Sequence, residues 1–292
     1  MLTSICAQQN PEYTQYMYNT MVINPAYTGS TQSLDIGLLH RSQWVGIEGA
    51  PSTQTLTFHT PLIDDKIGLG LSVINDKLGP SNEFNFEGNF AYSVEFRDEK
   101  KIAFGLKAGL RKLDIDYTKG SYYNPIDPLL NSNVSNEIKP SLGAGVYYYT
   151  DRWYLGASVP NLVKGNFYDD NRNSIDITRI HYYFIGGYIF DFSESVKFKP
   201  AFLVKVVNGA PPYYILSANF LFNEKFTLGG SCQLNDSVSA NAGFQISNEI
   251  FIGYSFDFTT TELNRYNVGT HEIILRYQFR KNTRQMRSPR FF

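Results

Sequence analysis

The sequence has little charge and no long apolar run. Asp, Glu, Lys and Arg supply 18% of its 292 residues, and the formal net charge is -1. That excludes the basic surplus with which nucleic-acid binders grip phosphate, so no nucleic-acid partner is expected. No stretch approaches the roughly 18 uninterrupted apolar residues of a membrane-spanning helix. Histidine is scarce as well: His40, His59, His181 and His271 lie far apart, without the H-x-x-H spacing of a metal site. The sequence lacks a Gly-x-Ser-x-Gly elbow, and His271 is followed by Glu272 and Ile273 rather than a serine partner. Gly68-Leu69-Gly70 reads as a pair of packing glycines in a strand, not as a phosphate loop. Covalent catalysis needs a nucleophile beside a positioned base. With none in view, the sequence predicts no enzyme, no metal and no cofactor.

Cysteine is nearly missing. Cys6 lies in Met1–Ala7, which reads as the remnant of a secretory signal cleaved after Ala7, or else as a short leader. Bulky Ile5 before the cysteine argues against a lipoprotein signal. With Cys6 removed, Cys232 stands alone and no disulfide framework exists.

What is abundant is aromatic. Tyr 21 and Phe 22 bring aromatic content to 15%, although mean hydropathy is only -0.27. A transmembrane barrel reconciles the two, because alternation along its strands hides the apolar face. From Asn82 to Arg111 the pattern is long: Phe84, Phe86, Gly88, Phe90, Tyr92, Val94 and Phe96, then Ile102, Phe104, Leu106, Ala108 and Leu110 on one face. Period-two alternation marks a strand. Strands of about 9–11 residues or more, apolar on one side and small or polar on the other, suit a bilayer. A soluble sandwich would also alternate, but its outer face would carry Lys, Glu and Thr instead of this Gly, Ala, Ser and Asn.

The same scheme starts at Leu34, Ile36 and Leu38 and ends with His271, Ile273, Leu275, Tyr277 and Phe279, giving about fourteen strands. The predicted fold is therefore an all-β, antiparallel transmembrane β-barrel with an N-terminal plug-like segment and a short C-terminal tail. Its expected divisions are 1–7 (signal remnant), 8–33 (plug or short helix), 34–280 (barrel) and 281–292 (tail). Residues 75–81 read as a longer loop and 118–140 as the longest unpatterned segment, with Pro125, Pro128 and Pro140. After Arg111 the apolar set moves to odd positions (Leu113, Ile115, Tyr117), which calls for a bulge or for a strand that leaves the membrane. Long connections follow odd-numbered strands and short ones follow even-numbered strands. By the barrel rule this puts the short turns and both termini in the periplasm.

Several stretches resemble one family. They are QQNPEYTQYMYNTMVINPAYTGS (Gln8–Ser30), HRSQWVGIEGAPSTQTLTFHTPL (His40–Leu62), GLGLSVINDKLGP, LGASVPNL, THEIILRYQF and the terminal SPRFF. Together they resemble the PorP/SprF outer-membrane proteins of the type IX secretion system, over essentially the whole chain. The resemblance implies an outer-membrane barrel that supports export or surface anchoring of cargo, such as gliding adhesins with type B C-terminal signal domains. It also implies contact with other type IX components in the outer membrane and periplasm, and with membrane lipid and lipopolysaccharide. It carries no catalytic residue. The alternative is a diffusion channel or hydrophobic-solute transporter.

Partner-binding candidates are Tyr13, Tyr16, Asn24, Pro25 and Tyr27 in the N-terminal segment, with plain lumen packing as the other reading. Trp44, Tyr122 and Tyr123 are candidates for outer contacts. Arg287, Arg290 and Phe292 are candidates in the tail, unless it is a disordered end.

Overall fold

The computed structural model describes residues 11–279 apart from 32, 64, 97–99, 120–132, 164–165, 169–173 and 178. Seven successive antiparallel strands form one half of the wall: β1 (Leu34–Ser42), β2 (Ser52–Leu62), β3 (Ile67–Leu78), β4 (Ser81–Glu95), β5 (Lys101–Ile115), β6 (Val134–Tyr149) and β7 (Trp153–Val159). Two short strands, β8 (Asn166–Tyr168) and β9 (Ser174–Ile177), pair with each other outside the wall. The other half is β10 (His181–Tyr188), β11 (Phe190–Asp191), β12 (Val196–Val207), β13 (Tyr213–Phe222), β14 (Phe226–Gln233), β15 (Ser237–Gln245), β16 (Ile250–Thr259) and β17 (Thr270–Phe279). β1 pairs with β17 from Leu34↔Phe279 to Ser42↔His271, so the sheet closes and no long edge is left to aggregate.

β11 continues β10. Gly187↔Ala201 and Phe190↔Phe198 keep one register against β12, and the interruption at Ile189 falls opposite Lys199, beside Pro200, which has no N–H to give. Among the described residues the wall thus has fourteen strands, as the alternation predicts. Among the same residues no helix is long and apolar enough to cross a membrane.

The faces follow the alternation. Outward positions carry exposed apolar side chains: Leu56 and Phe58 on β2, Phe104 and Leu106 on β5, Leu216 and Phe220 on β13, Ile273 and Leu275 on β17. Inward positions are buried and polar, among them Thr55, Glu87, Lys107, Ser217, Asn219, Ser255 and Glu272. At about 25 cal/mol per Å² of apolar surface withdrawn from water, lipid contact over such a belt favours insertion strongly.

Two expectations are corrected, and a third is decided in favour of a strand that leaves the membrane. Residues 75–81 form no long loop, because β3 runs to Leu78 and β4 begins at Ser81, leaving a two-residue turn of Gly79 (φ 54) and Pro80. The unpatterned segment is shorter than expected, since β6 begins at Val134 and includes Pro140. The shift after Arg111 is a change of environment and not of phase. β4 and β5 stay in register to Ser81↔Ile115, and the one irregularity lies on the β6 side, between Leu113 and Ile115. Inward Leu113, Ile115 and Val134 pack together with Tyr117, while outward Lys112 and Asp114 pair at 2.9 Å. Polar outside and apolar inside is the pattern of a sheet in water, so β3–β6 project past the apolar belt there. There the slight burial of Asp114 is outweighed by the Asn136 N–H and by Lys112, which hold its carboxyl below the ordinary range.

Candidate functional site

The N-terminal segment lies inside the barrel. Its backbone makes a 3-10 turn (Tyr16–Tyr18), one α-helical turn (Thr20–Ile23) and a second 3-10 turn (Pro25–Tyr27). The second turn is set locally: Asn24 Oδ1 accepts the Ala26 N–H at 3.0 Å, and Pro25 takes the first position, where no N–H is needed. From Tyr13 to Thr31 every residue except Tyr18 is buried.

One wall receives this segment with almost no side chain. Gly68, Ala91, Gly105, Gly145 and Ser158 are directly opposite one another in turn across β3, β4, β5, β6 and β7. They form a row of small residues around the lumen, and the stretch from Ile23 to Gly29 runs along it. Ser158 Oγ donates to the Ile23 carbonyl at 2.8 Å, and Asn24 Nδ2 donates to the Val146 carbonyl at 3.0 Å. A Cβ on Gly145 would stand 2.1 Å from Asn24 Oδ1, one on Gly105 2.1 Å from the Ala26 nitrogen, and one on Gly68 2.1 Å from the Thr28 oxygen. At the end of the row Gly29 has φ +77 and itself lies against Gly68, a backbone shape that glycine adopts without steric cost. Tyr27 packs edge-on against Tyr147 (ring centroids 5.5 Å) and His59 (5.7 Å), and the Gly29 N–H donates to His59 Nδ1 at 3.4 Å.

The opposite wall uses charge. Arg41 on β1 and Glu272 on β17 are direct cross-strand partners, 3.1 Å apart, and Arg41 also meets Asp257 of β16 at 2.8 Å. Glu272 accepts the backbone N–H of Gln15 at 2.8 Å and of Thr14 at 3.0 Å. Thr14 Oγ1 donates to Asp257 at 2.6 Å and accepts from Arg41 at 2.7 Å. All three charged side chains are buried, so each needs its partners to offset desolvation. Below this cluster Arg276 pairs with Asp35, which also accepts from Gln278 at 2.8 Å, and the Arg276 guanidinium lies 5.9 Å from the Tyr18 ring centre. Tyr13 and Tyr16 reach further walls, at Thr55 (3.0 Å) and Ser217 (3.3 Å), and Glu12 pairs with Lys205.

Beside the segment a cavity of about 60 Å³ remains, lined by Pro11, Tyr13, Glu83, Glu87, Lys107 and Arg111 among others. Its charges are matched within the wall: Lys107 with Glu87 at 2.8 Å, and Arg111 with Glu83 at 2.7 Å. Among the described residues no cluster of metal-binding side chains occurs.

Of the sequence candidates, Tyr13, Tyr16, Asn24, Pro25 and Tyr27 thus gather in the lumen. Trp44 lies apart, at the end carrying the long connections, with φ 48 and its N–H on Thr270 Oγ1 at 3.1 Å. Next to it Val45 exchanges backbone bonds with Gly269 (2.9 Å) and Val268 (2.8 Å), and Tyr266 and Val268 are each 72% exposed. Tyr122, Tyr123, Arg287, Arg290 and Phe292 lie outside the described residues. The sequence reading missed Arg41, Asp257 and Glu272. The available signal was charge at inward positions of otherwise apolar strands, as in the Asp257 and Glu272 neighbourhoods.

A family model described as "Type IX secretion system membrane protein PorP/SprF" matches residues 5–277. No curated protein matches the chain. Among solved structures, a mutant of the TodX monoaromatic hydrocarbon channel superposes with a TM-score of 0.53 at 11% identity, covering 89% of this chain and 94% of that one. The CymD monoaromatic hydrocarbon channel gives 0.49 at 12% identity, covering 91% and 94%. The Acinetobacter baumannii outer membrane protein Omp33 gives 0.47 at 9% identity, covering 85% and 100%. At 11% identity the likeness to the TodX mutant speaks for the barrel fold alone.

Proposed function

Because the chain belongs to the PorP/SprF family of type IX secretion system membrane proteins, we propose that it is a closed outer-membrane barrel that supports export or surface anchoring of cargo, without catalysis. The observation that carries this reading is the lumen: Tyr13 to Thr31 are seated against a row of small residues on one side and a buried ion cluster on the other. A segment held so completely acts as a plug, which suits a docking protein better than a conduit. In this reading the long-connection rim faces outward and receives a type B C-terminal signal domain. Trp44, with exposed Val45, Tyr266 and Val268, and the loop holding Tyr122 and Tyr123 contribute there. Both termini face the periplasm, where Arg287, Arg290 and Phe292 meet other type IX components.

Two measurements test this. The protein, purified from detergent-solubilised outer membranes, should carry a surface protein bearing a type IX signal domain, and recovery of none counts against the reading. In planar bilayers it should pass no large steady current. Sustained large currents would favour the alternative, a diffusion channel for small or hydrophobic solutes.

A further inference from the structure

Among the described residues the lipid face carries an open furrow. Between β5 and β10 lies a furrow of about 620 Å³, floored by Ala144, Val146 and Ala157 and walled by Phe104 and Leu106 on one side and Tyr182 and Phe184 on the other. Register explains it. Tyr92, Phe104, Val146, Ala157 and Phe184 share one level across five strands, so bulky residues flank a floor two strands wide. The inner surface of that floor is equally spare: Gly105, Gly145 and Gly156 are where Asn24–Ala26 press from within.

The furrow belongs to the apolar belt, where water cannot enter at tolerable cost, so an apolar chain must fill it. Towards the short-turn end β6 and β7 carry Tyr148 and Trp153 on the outward face, their rings tilted against each other with centroids 5.0 Å apart. Such rings mark the level of lipid headgroups. Beyond them the 150–152 turn presents Arg152, whose side chain is 64% exposed although it pairs with Asp191 at 3.2 Å. A guanidinium has five N–H donors, so a carboxylate on one side leaves donors for a phosphate. From Arg152 to Ala157 the chain extends about 17 Å along the strand, which at a tilt of about 40–45° is about 12–13 Å along the bilayer normal, within the roughly 15 Å of one leaflet of hydrocarbon.

We propose that this furrow is a specific phospholipid site, with the phosphate at Arg152, the glycerol region at Tyr148 and Trp153, and one acyl chain along Ala157, Val146 and Ala144. The choice of a phospholipid over lipopolysaccharide rests on the orientation given under Proposed function, which places this rim in the periplasmic leaflet.

The test is native mass spectrometry of the full chain purified from outer membranes in mild detergent. The unmodified protein should retain one glycerophospholipid, and Ala157→Trp, which fills the floor, should lower that occupancy at least fivefold. Ala240→Trp, the same change on the lipid face of β15, should leave it unchanged. Arg152→Glu should lower it less than Ala157→Trp. Equal retention by Ala157→Trp and the unmodified protein overturns the site, as does equal loss in Ala240→Trp. Should Ala157→Trp fail to assemble, Ala144→Phe makes the same test, and unchanged retention there overturns the proposal. Lipopolysaccharide in place of phospholipid also overturns it, and would question the orientation without touching the cargo-anchoring reading, which the co-purification decides.

Discussion

At the β3–β7 wall the segment from Ile23 to Gly29 meets residues with almost no side chain, whereas at the β1–β16–β17 wall Thr14 and Gln15 meet two carboxylates and a guanidinium. The first grip is steric: backbone approaches backbone, and its selectivity comes from atoms that are missing. The second is electrostatic and directional, since Glu272 accepts two successive amides while Arg41 balances it. The contrast teaches how each can be lost. A steric seat is destroyed by adding atoms, an ionic one by removing them, and the two need different substitutions.

The largest effect is expected from Gly105→Leu. Its Cβ would face the Ala26 nitrogen at 2.1 Å, the Pro25 carbonyl carbon at 2.4 Å and the Ala26 Cα at 2.4 Å, all of them backbone. Nothing there can rotate away, so the stretch from Asn24 to Thr28 must leave the wall. Chymotrypsin should then cut after Tyr18 or Tyr27, and planar bilayers should register steady current. Gly88→Ala is the control, because its Cβ meets only the Ala108 carbonyl oxygen at 3.7 Å. A segment that stays protected in Gly105→Leu would break the steric half of the comparison.

Next comes Glu272→Gln, which keeps the shape and removes one of the two carboxylates facing Arg41. Breaking a buried ion pair costs about 3–5 kcal/mol, and since Asp257 remains, the loss should sit at the lower end of that range. The urea midpoint of the folded barrel checks it. Arg41→Met should cost at least as much, because it leaves Asp257 and Glu272 facing each other, and the double substitution should cost less than the sum. Additive losses would mean that the cluster does not act as a unit.

A smaller effect sharpens the steric side. Gly145→Ala places its Cβ against Asn24 Oδ1 at 2.1 Å and Cγ at 3.0 Å, which are side-chain atoms. Asn24→Ala alone should cost about 1–3 kcal/mol, since it removes the bond to the Val146 carbonyl and the cap on Ala26. With Asn24 already truncated, Gly145→Ala should cost little more. At Gly105 no such rescue exists, and finding one there would erase the distinction between side-chain and backbone contact.

The two regions also differ in how far the sequence discloses them. The outward face was legible strand by strand, from Leu34 to Phe279, because lipid demands an apolar residue at every second position. Legibility failed at Asn75–Leu78 and Val134–Pro140. There β3 and β6 stand clear of the apolar belt, the outer face becomes mixed, with Asn75 and Lys77 on β3 and Asn136 beside Ile138 on β6, and the composition imitates a loop. In the lumen, Gly68, Gly105 and Gly145 were visible only as small residues, since their meaning lies in a shared level set by register across five strands. Arg41 and Glu272 are 231 residues apart, and no local pattern joins them. Asn24 and Pro25 stood out as candidates in the N-terminal segment, but the wall they press on did not.

The smallest predicted effect tests whether the tyrosines act by volume or by polarity. Tyr16 is 1% exposed, and its hydroxyl meets Ser217 Oγ at a long 3.3 Å. Deleting that hydroxyl in Tyr16→Phe gives up a net hydrogen bond of about 0.5–1.5 kcal/mol, and it leaves Ser217 its other bond, to the Ala201 carbonyl. The urea midpoint should fall only slightly and the bilayer should stay closed. Tyr16→Ala instead opens a cavity in the middle of the lumen, at about 3–5 kcal/mol for a large aromatic. The ratio of the two losses therefore measures how far the ring holds the segment by filling space, as the glycine row does, and how far by its polar end, as Arg41 does. Comparable losses for Phe and Ala would place Tyr16 with the ionic grip and move the boundary between the two regions across the lumen.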